Sequence, residues 1–120
     1  MRSAFAHEAT VAMSAGSDAN VLGAAVTAAL CGHWEHEPPC PISPHYSEAK
    51  RVAADSVYLR VLFAAEPDME SDVRGRIEWA LRNGELPGSE HPTTHWQLRS
   101  TNLSPFRPDE TAHAQRLVQT

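Results

Sequence analysis

Residues 57–84 read VYLRVLFAAEPDMESDVRGRIEWALRNG, and in this stretch a strand pattern passes directly into a helix pattern. In residues 57–65 apolar side chains recur at every second position, which is the period of a strand. After Pro67 they recur at helical spacing instead, at Met69, Val73, Ile77, Ala80 and Leu81. Proline and acidic residues open this helix, and Asn83-Gly84 ends it. The stretch therefore predicts a buried strand followed by an amphipathic helix.

The same two patterns precede this stretch. Residues 5–13 place apolar side chains on one face at every second position, which predicts a first strand. A turn and helix cap at residues 16–18 lead into residues 21–30, whose apolar residues recur at helical spacing until Gly32. Residues 46–53 are polar and alternate poorly, as expected for a strand at the edge of a sheet.

The residues that follow complete the pattern. A loop rich in proline and glycine is predicted for residues 85–93, and residues 94–101 alternate around Trp96 and Leu98 as another strand. Pro108, followed by two acidic residues, begins a short terminal helix. The order β-α-β-β-α-β predicts an α+β fold of the ferredoxin-like type. This fold has a four-stranded antiparallel sheet in the order 4-1-3-2 with two helices on one face, here followed by a short C-terminal helix.

Length and charge narrow the classes of protein. The 120 residues, 42% of them hydrophobic, suit a single domain spanning residues 1–120. A net charge of −5 without any basic run argues against a nucleic-acid partner and against an anionic membrane surface. The apolar run Val21–Cys31 is too short to span a membrane, and the acidic residues before it do not suit an export signal. We therefore expect a cytoplasmic protein, whose cysteines serve as thiols or metal ligands rather than as a disulfide.

Residues 31–45 concentrate the residue types that bind metals. Both cysteines and three of the 7 histidines fall in this segment, and the prolines of residues 33–45 predict a stiff loop without regular structure there. Two thiolates and two imidazoles form the ligand set of a closed tetrahedral zinc site. We therefore predict a structural Zn²⁺ site in this loop, between the first helix and the second strand, with four ligands: Cys31, His36, Cys40 and His45.

Other interpretations of this segment remain open. His33 is an alternate for either histidine, and His7, on the first strand, is the alternate ligand from outside the segment. A catalytic metal site needs an open coordination position, so it would use three of these ligands with Glu35 or Glu37 as a base. An iron–sulfur cluster uses the same residue types. Without a metal, the two cysteines are core or loop thiols, or they pair as a disulfide.

The sheet face away from the two predicted helices offers a second candidate site. Its expected side chains mix aromatic, charged and polar groups: Tyr58, Arg60, Leu62, Glu8, Thr10, His95, Gln97 and Arg99. A ligand or a second subunit often covers such a face, so a homodimer through it is expected. Trp79, which lies off the apolar stripe of its helix, is a further exposed aromatic residue that favours association.

Three classes of function follow from these features. The first is a small metal-binding protein with a structural zinc site in residues 31–45. The second is an enzyme or a small-molecule-binding domain that uses the open sheet face without a metal, and the third is a structural interaction module. The sequence contains no glycine-rich phosphate-binding loop and no serine-histidine-aspartate set that can be ordered, so no catalytic residue is assigned.

Overall fold

The computed structural model describes residues 2–31, 43–87 and 93–119, apart from the side chain of Cys31. Six strands are present in this part of the chain: β1 (Ser3–Ala12), β2 (His45–Ala53), β3 (Ser56–Ala65), β4 (Glu85–Leu86), β5 (Thr94–His95) and β6 (Gln97–Ser104). Its helices are α1 (Val21–Cys31), α2 (Glu70–Asn83) and α3 (Thr111–Val118). Single 3-10 turns at Pro67–Met69 and Pro108–Glu110 precede α2 and α3. The predicted α+β class is confirmed.

The four long strands form one antiparallel sheet in the order β2-β3-β1-β6. β3 lies in the interior of this sheet and is buried over almost its whole length, as its apolar sequence predicts. Cross-strand pairs join Ser3 to Ala65 and His45 to Phe63. The start of β1, the start of β2 and the end of β3 therefore lie at the same end of the sheet. After α1, the described part of the chain resumes at Ser43. This residue also lies at that end of the sheet, because it contacts Ala64 near the end of β3.

α1 and α2 pack on one face of the sheet and enclose the main core. Its fully buried large side chains come from both layers: Val11, Leu22, Val26, Leu30, Val57, Leu59, Val61, Phe63, Val73, Ile77 and Leu81. Gly23 allows α1 to approach β2 closely, since a Cβ at this position would lie 3.0 Å from the Ser47 hydroxyl. α2 ends at Asn83, and the left-handed φ of 73° at the next residue, Gly84, is the helix stop that the sequence predicts. The sequence predicts Met69 on the apolar face of α2, but this residue is exposed at the start of the helix.

The predicted strand at residues 94–101 is interrupted at Trp96. The buried Trp96 indole Nε1 donates to the carbonyl of Leu81, and the Trp96 amide donates to the carbonyl of Gly84, both at 2.9 Å. These bonds tie the chain to the end of α2 and divide the predicted strand into β5 and β6. The prediction of a loop over residues 85–93 was wrong at its beginning, because β4 pairs with β5.

α3 covers part of the opposite sheet face. Its buried Leu117 packs in a second apolar cluster with Ala6, Leu62 and Ala64. The prediction that this face is open was therefore wrong at one end, where Leu62 is only 3% exposed. The physical reason is the amphipathic character of α3, whose Ala114 and Leu117 are buried and whose Val118 packs against the same cluster, while Thr111, Gln115 and Arg116 are exposed.

Candidate functional site

The predicted metal ligands divide into two groups. Four positions lie outside the described side chains: Cys31, His33, His36 and Cys40. Among the side chains that are described, no group of three or more histidine, cysteine, aspartate or glutamate residues is placed to hold a metal ion. The two remaining candidates, His45 and His7, have defined surroundings, which fix what each imidazole can do.

His45 is the first residue of β2. Its imidazole lies between two oxygen atoms, and these contacts fix its tautomer. Its Nδ1 lies 3.0 Å from the carbonyl oxygen of Ser43, which only accepts hydrogen bonds, so Nδ1 carries the proton. Nε2 of the neutral ring therefore keeps its lone pair and accepts from the Thr27 hydroxyl at 3.0 Å. Burial lowers the pKa of His45, and the hydrogen bond to Ser43 opposes this only in part. His45 is thus a neutral imidazole with its lone pair directed at α1.

Thr27, the residue that His45 contacts, lies one helical turn before Cys31. Residues four apart lie on the same side of a helix, so His45 approaches the stripe of α1 that ends at Cys31. Ser43 anchors the C-terminal part of residues 31–45. It is fully buried, and its hydroxyl donates to the carbonyl of Ala64 at 2.8 Å. The first and last predicted ligands therefore belong to adjoining, well-anchored elements.

His7 lies in the core on β1 and is fully engaged. A guanidinium only donates, so Arg74 Nη1 donates to Nδ1 of His7 at 2.9 Å. Nε2 then carries the proton and donates to the Thr101 hydroxyl at 2.6 Å. Burial lowers the pKa of His7, and the adjacent positive charge of Arg74 lowers it further. His7 is a neutral structural histidine in this arrangement, with no lone pair left for another ligand.

His7 and His45 are held apart by the sheet. β3 separates their strands, so the backbones of β1 and β2 are about 10 Å apart at ordinary strand spacing. His7 pairs with Val61 and His45 with Phe63, which also offsets them along the sheet. The structure brings His45 to α1 and His7 to α2, and it does not bring the two imidazoles together.

A buried arginine organises the other face of the sheet. Arg60, on β3, is 5% exposed and forms a two-point ion pair with Glu110, with Nε and Nη2 at 2.6 and 2.7 Å from the two carboxylate oxygens. Its remaining donors reach the Ser104 hydroxyl and the carbonyl of Pro105, each at 2.7 Å. Arg60 therefore links the sheet to the turn that begins α3.

Glu110 also caps this turn, because its carboxylate accepts from the Arg107 amide at 2.9 Å. The hydrogen bond from Arg60 holds the pKa of the Glu110 carboxyl below its ordinary range, against the opposing effect of burial. The same pairing raises the pKa of Arg60. Tyr58 extends the network, since its hydroxyl donates to a Glu8 carboxylate oxygen at 2.8 Å and accepts from Arg60 at 3.3 Å.

Beside this network lies a cleft of about 410 Å³ between β2, β3 and the chain before α3. Most of the residues that line it are charged: Glu48, Lys50, Val52, Tyr58, Arg60, Arg107 and Asp109. The Arg107 guanidinium lies 5.9 Å from the centre of the Tyr58 ring. The sheet face that sequence analysis singled out thus carries a concavity around Tyr58 and Arg60. Its walls carry both signs of charge, and Val52 and Tyr58 add apolar surface.

Sequence reasoning missed two residues of these networks. Arg74 lies one position after Val73 and three before Ile77, so it falls on the apolar stripe of α2. That position could have identified it as a buried residue. Glu110 lies two residues after the proline that starts the terminal helix. Acidic residues are common in the first turn of a helix, so its sequence position did not distinguish it. Its ion pair with Arg60 joins residues fifty positions apart, which no local pattern reports.

No protein-family model matches this sequence, and no curated protein matches it either. Among the described residues, none of the helices is both long and apolar enough to cross a membrane.

Proposed function

We propose that this protein is a small cytoplasmic metal-binding protein whose residues 31–45 hold a structural zinc ion. The observation that carries the proposal is the hydrogen bonding of His45, in which Nδ1–H donates to the Ser43 carbonyl and Nε2 keeps its lone pair. Metal-binding histidines characteristically donate one ring N–H to a backbone carbonyl while the other nitrogen binds the metal. His45 is therefore oriented as such a ligand, with only the Thr27 hydroxyl to displace.

The chemistry of the remaining candidates supports the same ion. Cys31, His36 and Cys40 supply two thiolates and one imidazole, which with His45 complete a Cys2His2 set. Zinc prefers four such ligands in a closed site, and its binding free energy contributes directly to folding. A closed site of this kind is structural, because it leaves no coordination position for a substrate or a water molecule.

Elemental analysis of the purified, tag-free protein tests this proposal. We expect about one zinc per chain, and we expect Cys31→Ser, Cys40→Ser and His45→Ala each to lose zinc and to unfold at lower temperature. His95→Ala is the matched control, because His95 is an exposed histidine at the opposite end of the sheet and should keep the metal. Zinc-free wild-type protein with two freely reactive thiols would refute the proposal.

We further infer that the fold is ferredoxin-like. Setting the two-residue strands β4 and β5 aside, the four long strands follow the order fourth, first, third, second across the sheet, with antiparallel neighbours. α1 and α2 share one face of that sheet. These features support the assignment, which by itself carries no function because this fold serves many unrelated activities.

The charged cleft favours a second candidate, the binding of a small zwitterionic molecule at the sheet face. Lys50 and Arg107 offer positive charge on its walls, while Glu48 and Asp109 offer negative charge. The concavity is of the size that small ligands occupy. The cationic and anionic groups of a bound zwitterion would each meet an oppositely charged side chain in this cleft. This holds for a monomer and for a dimer formed through this face.

Nuclear magnetic resonance titration with free amino acids as the probe tests this candidate. We expect saturable amide shifts confined to β2, β3 and the turn before α3. Lys50→Ala should weaken the shifts, because it removes a cation of the cleft, while Arg82→Ala, an exposed cation on α2, should leave them unchanged. Uniformly small shifts that follow only ionic strength would exclude a specific site.

A further inference from the structure

The outer surface of α1 and α2 carries a groove of about 520 Å³ next to an exposed tryptophan. Ala28 and Ala29 of α1 form one side, and Gly75 of α2 forms part of the other. Trp79 lies one turn after Gly75 on the same side of α2 and is 69% exposed, more than any other large apolar residue described. A large knob and a shallow hole of small residues therefore lie side by side on one surface.

Within the part of the chain that the structure describes, nothing requires glycine at position 75. Its φ is not in the left-handed region, and a Cβ added to it would meet nothing within 4 Å. Glycine is the weakest helix former after proline, so Gly75 lowers the stability of α2 without improving its packing against the described residues. A glycine that lines an open groove does, however, allow another chain to approach closely.

Charged residues of the same groove are arranged with both signs. Asp72 and Arg76 line it and pair with each other at 3.1 Å, with about half of each side chain exposed. In a two-fold dimer each residue of the surface meets the same surface of the partner. Arg76 of one copy can then face Asp72 of the other, so the charges of this surface complement a second copy of itself.

We propose that a second copy of this chain docks on this groove about a two-fold axis, with Trp79 of each copy inserted beside Gly75 and Ala28 of the other. The knob, the hole and the paired charges all belong to one surface, as an interface between identical subunits requires. A tryptophan buries roughly 150–250 Å² and is among the commonest hot-spot residues of interfaces. None of the described residues that line this groove belongs to residues 31–45 or to the charged cleft.

Sedimentation velocity of the full chain over a wide range of concentration tests the proposal. We expect a reversible dimer. Trp79→Ala should raise its dissociation constant about thirtyfold or more, the effect of losing a hot-spot residue. Gly75→Leu should also give a monomer, because the new side chain fills the groove. It should remain folded, since leucine favours helix and the position is open to solvent.

Two controls make the result specific. Leu103→Ala removes a similarly exposed apolar side chain, 67% accessible on β6, and should leave the dimer intact. Val52→Asp places a charge on the sheet face and should also leave it intact. A monomeric wild-type chain at every concentration would overturn the proposal. So would a dimer that survives Trp79→Ala and Gly75→Leu but dissociates with Val52→Asp, which would place the interface on the sheet.

Discussion

Replacing Arg60 with alanine is expected to lower the free energy of unfolding by about 3–5 kcal/mol, the usual cost of removing one partner from a buried ion pair. The loss is large because the Glu110 carboxylate remains, only 14% exposed, without the two guanidinium donors that now compensate its burial. Ser104 and Pro105 lose a hydrogen bond each as well. Urea denaturation followed by far-ultraviolet circular dichroism measures the change. Most small domains have a free energy of unfolding of only about 5–15 kcal/mol, so this substitution removes a large part of the total stability.

Controls separate this effect from the loss of any arginine. Arg82→Ala removes a two-thirds exposed arginine paired with Glu78, and we expect a change below about 1 kcal/mol. Arg60→Lys keeps the charge but cannot make the two-point contact, so an intermediate loss is expected. Equal stability of Arg60→Ala and the wild-type protein would show that the pair does not hold α3 to the sheet.

Acid pH provides an independent readout of the same variant. The pKa of Glu110 is lower in the folded protein than in the unfolded chain, so its pairing stabilises the fold fully above the unfolded value of about 4.3. That contribution disappears as the pH falls through the lower folded pKa, because both states are then protonated. The difference in stability between the wild-type protein and Arg60→Ala should therefore shrink below about pH 4. A constant difference down to the most acid pH would assign the effect of Arg60 to packing rather than to its ion pair.

Local patterns predicted the elements of the main sheet well. The alternation around Leu59 and Val61 identified the buried strand, because every second side chain of β3 enters the core beneath α1 and α2. Gly84 marked the end of α2 through the left-handed φ that glycine adopts most readily. In both cases the residues that cause the structure are neighbours in sequence, so a short window contains the whole physical reason.

Contacts between distant residues account for what the patterns missed. The interruption at Trp96 depends on carbonyls at the end of α2, fifteen residues earlier for Leu81. The burial of Arg60 depends on Glu110, which approaches it only because α3 folds back over the sheet. The metal site predicted for residues 31–45 stays a prediction, because Cys31, His36 and Cys40 lie outside the described side chains. Of the four predicted ligands His45 alone has a described side chain, and its surroundings depend on Thr27 in another element.

Replacing Arg74 with methionine is expected to lower the free energy of unfolding by about 3 kcal/mol and to raise the pKa of His7. Methionine keeps much of the side-chain volume, whereas the guanidinium that donates to His7 Nδ1 and to the Ala6 carbonyl is lost. Two buried acceptors are then left without their donor. The guanidinium also lies 5.2 Å from the centre of the Phe63 ring, and this cation–π contact is lost with it.

The pKa of His7 distinguishes this mechanism from a simple packing defect. Burial and the Arg74 charge both lower it now, so removing the charge should move it upward, toward but not reaching the ordinary value of about 6.5. Resonance titration of the His7 ring measures the shift directly. Glu70→Gln is the control, because it removes the negative charge of the partly exposed partner of Arg74 on α2 and leaves the bond to His7 in place. A destabilised Arg74→Met protein with an unchanged His7 pKa would mean that Arg74 acts through packing against the aromatic rings rather than through its contact with the imidazole.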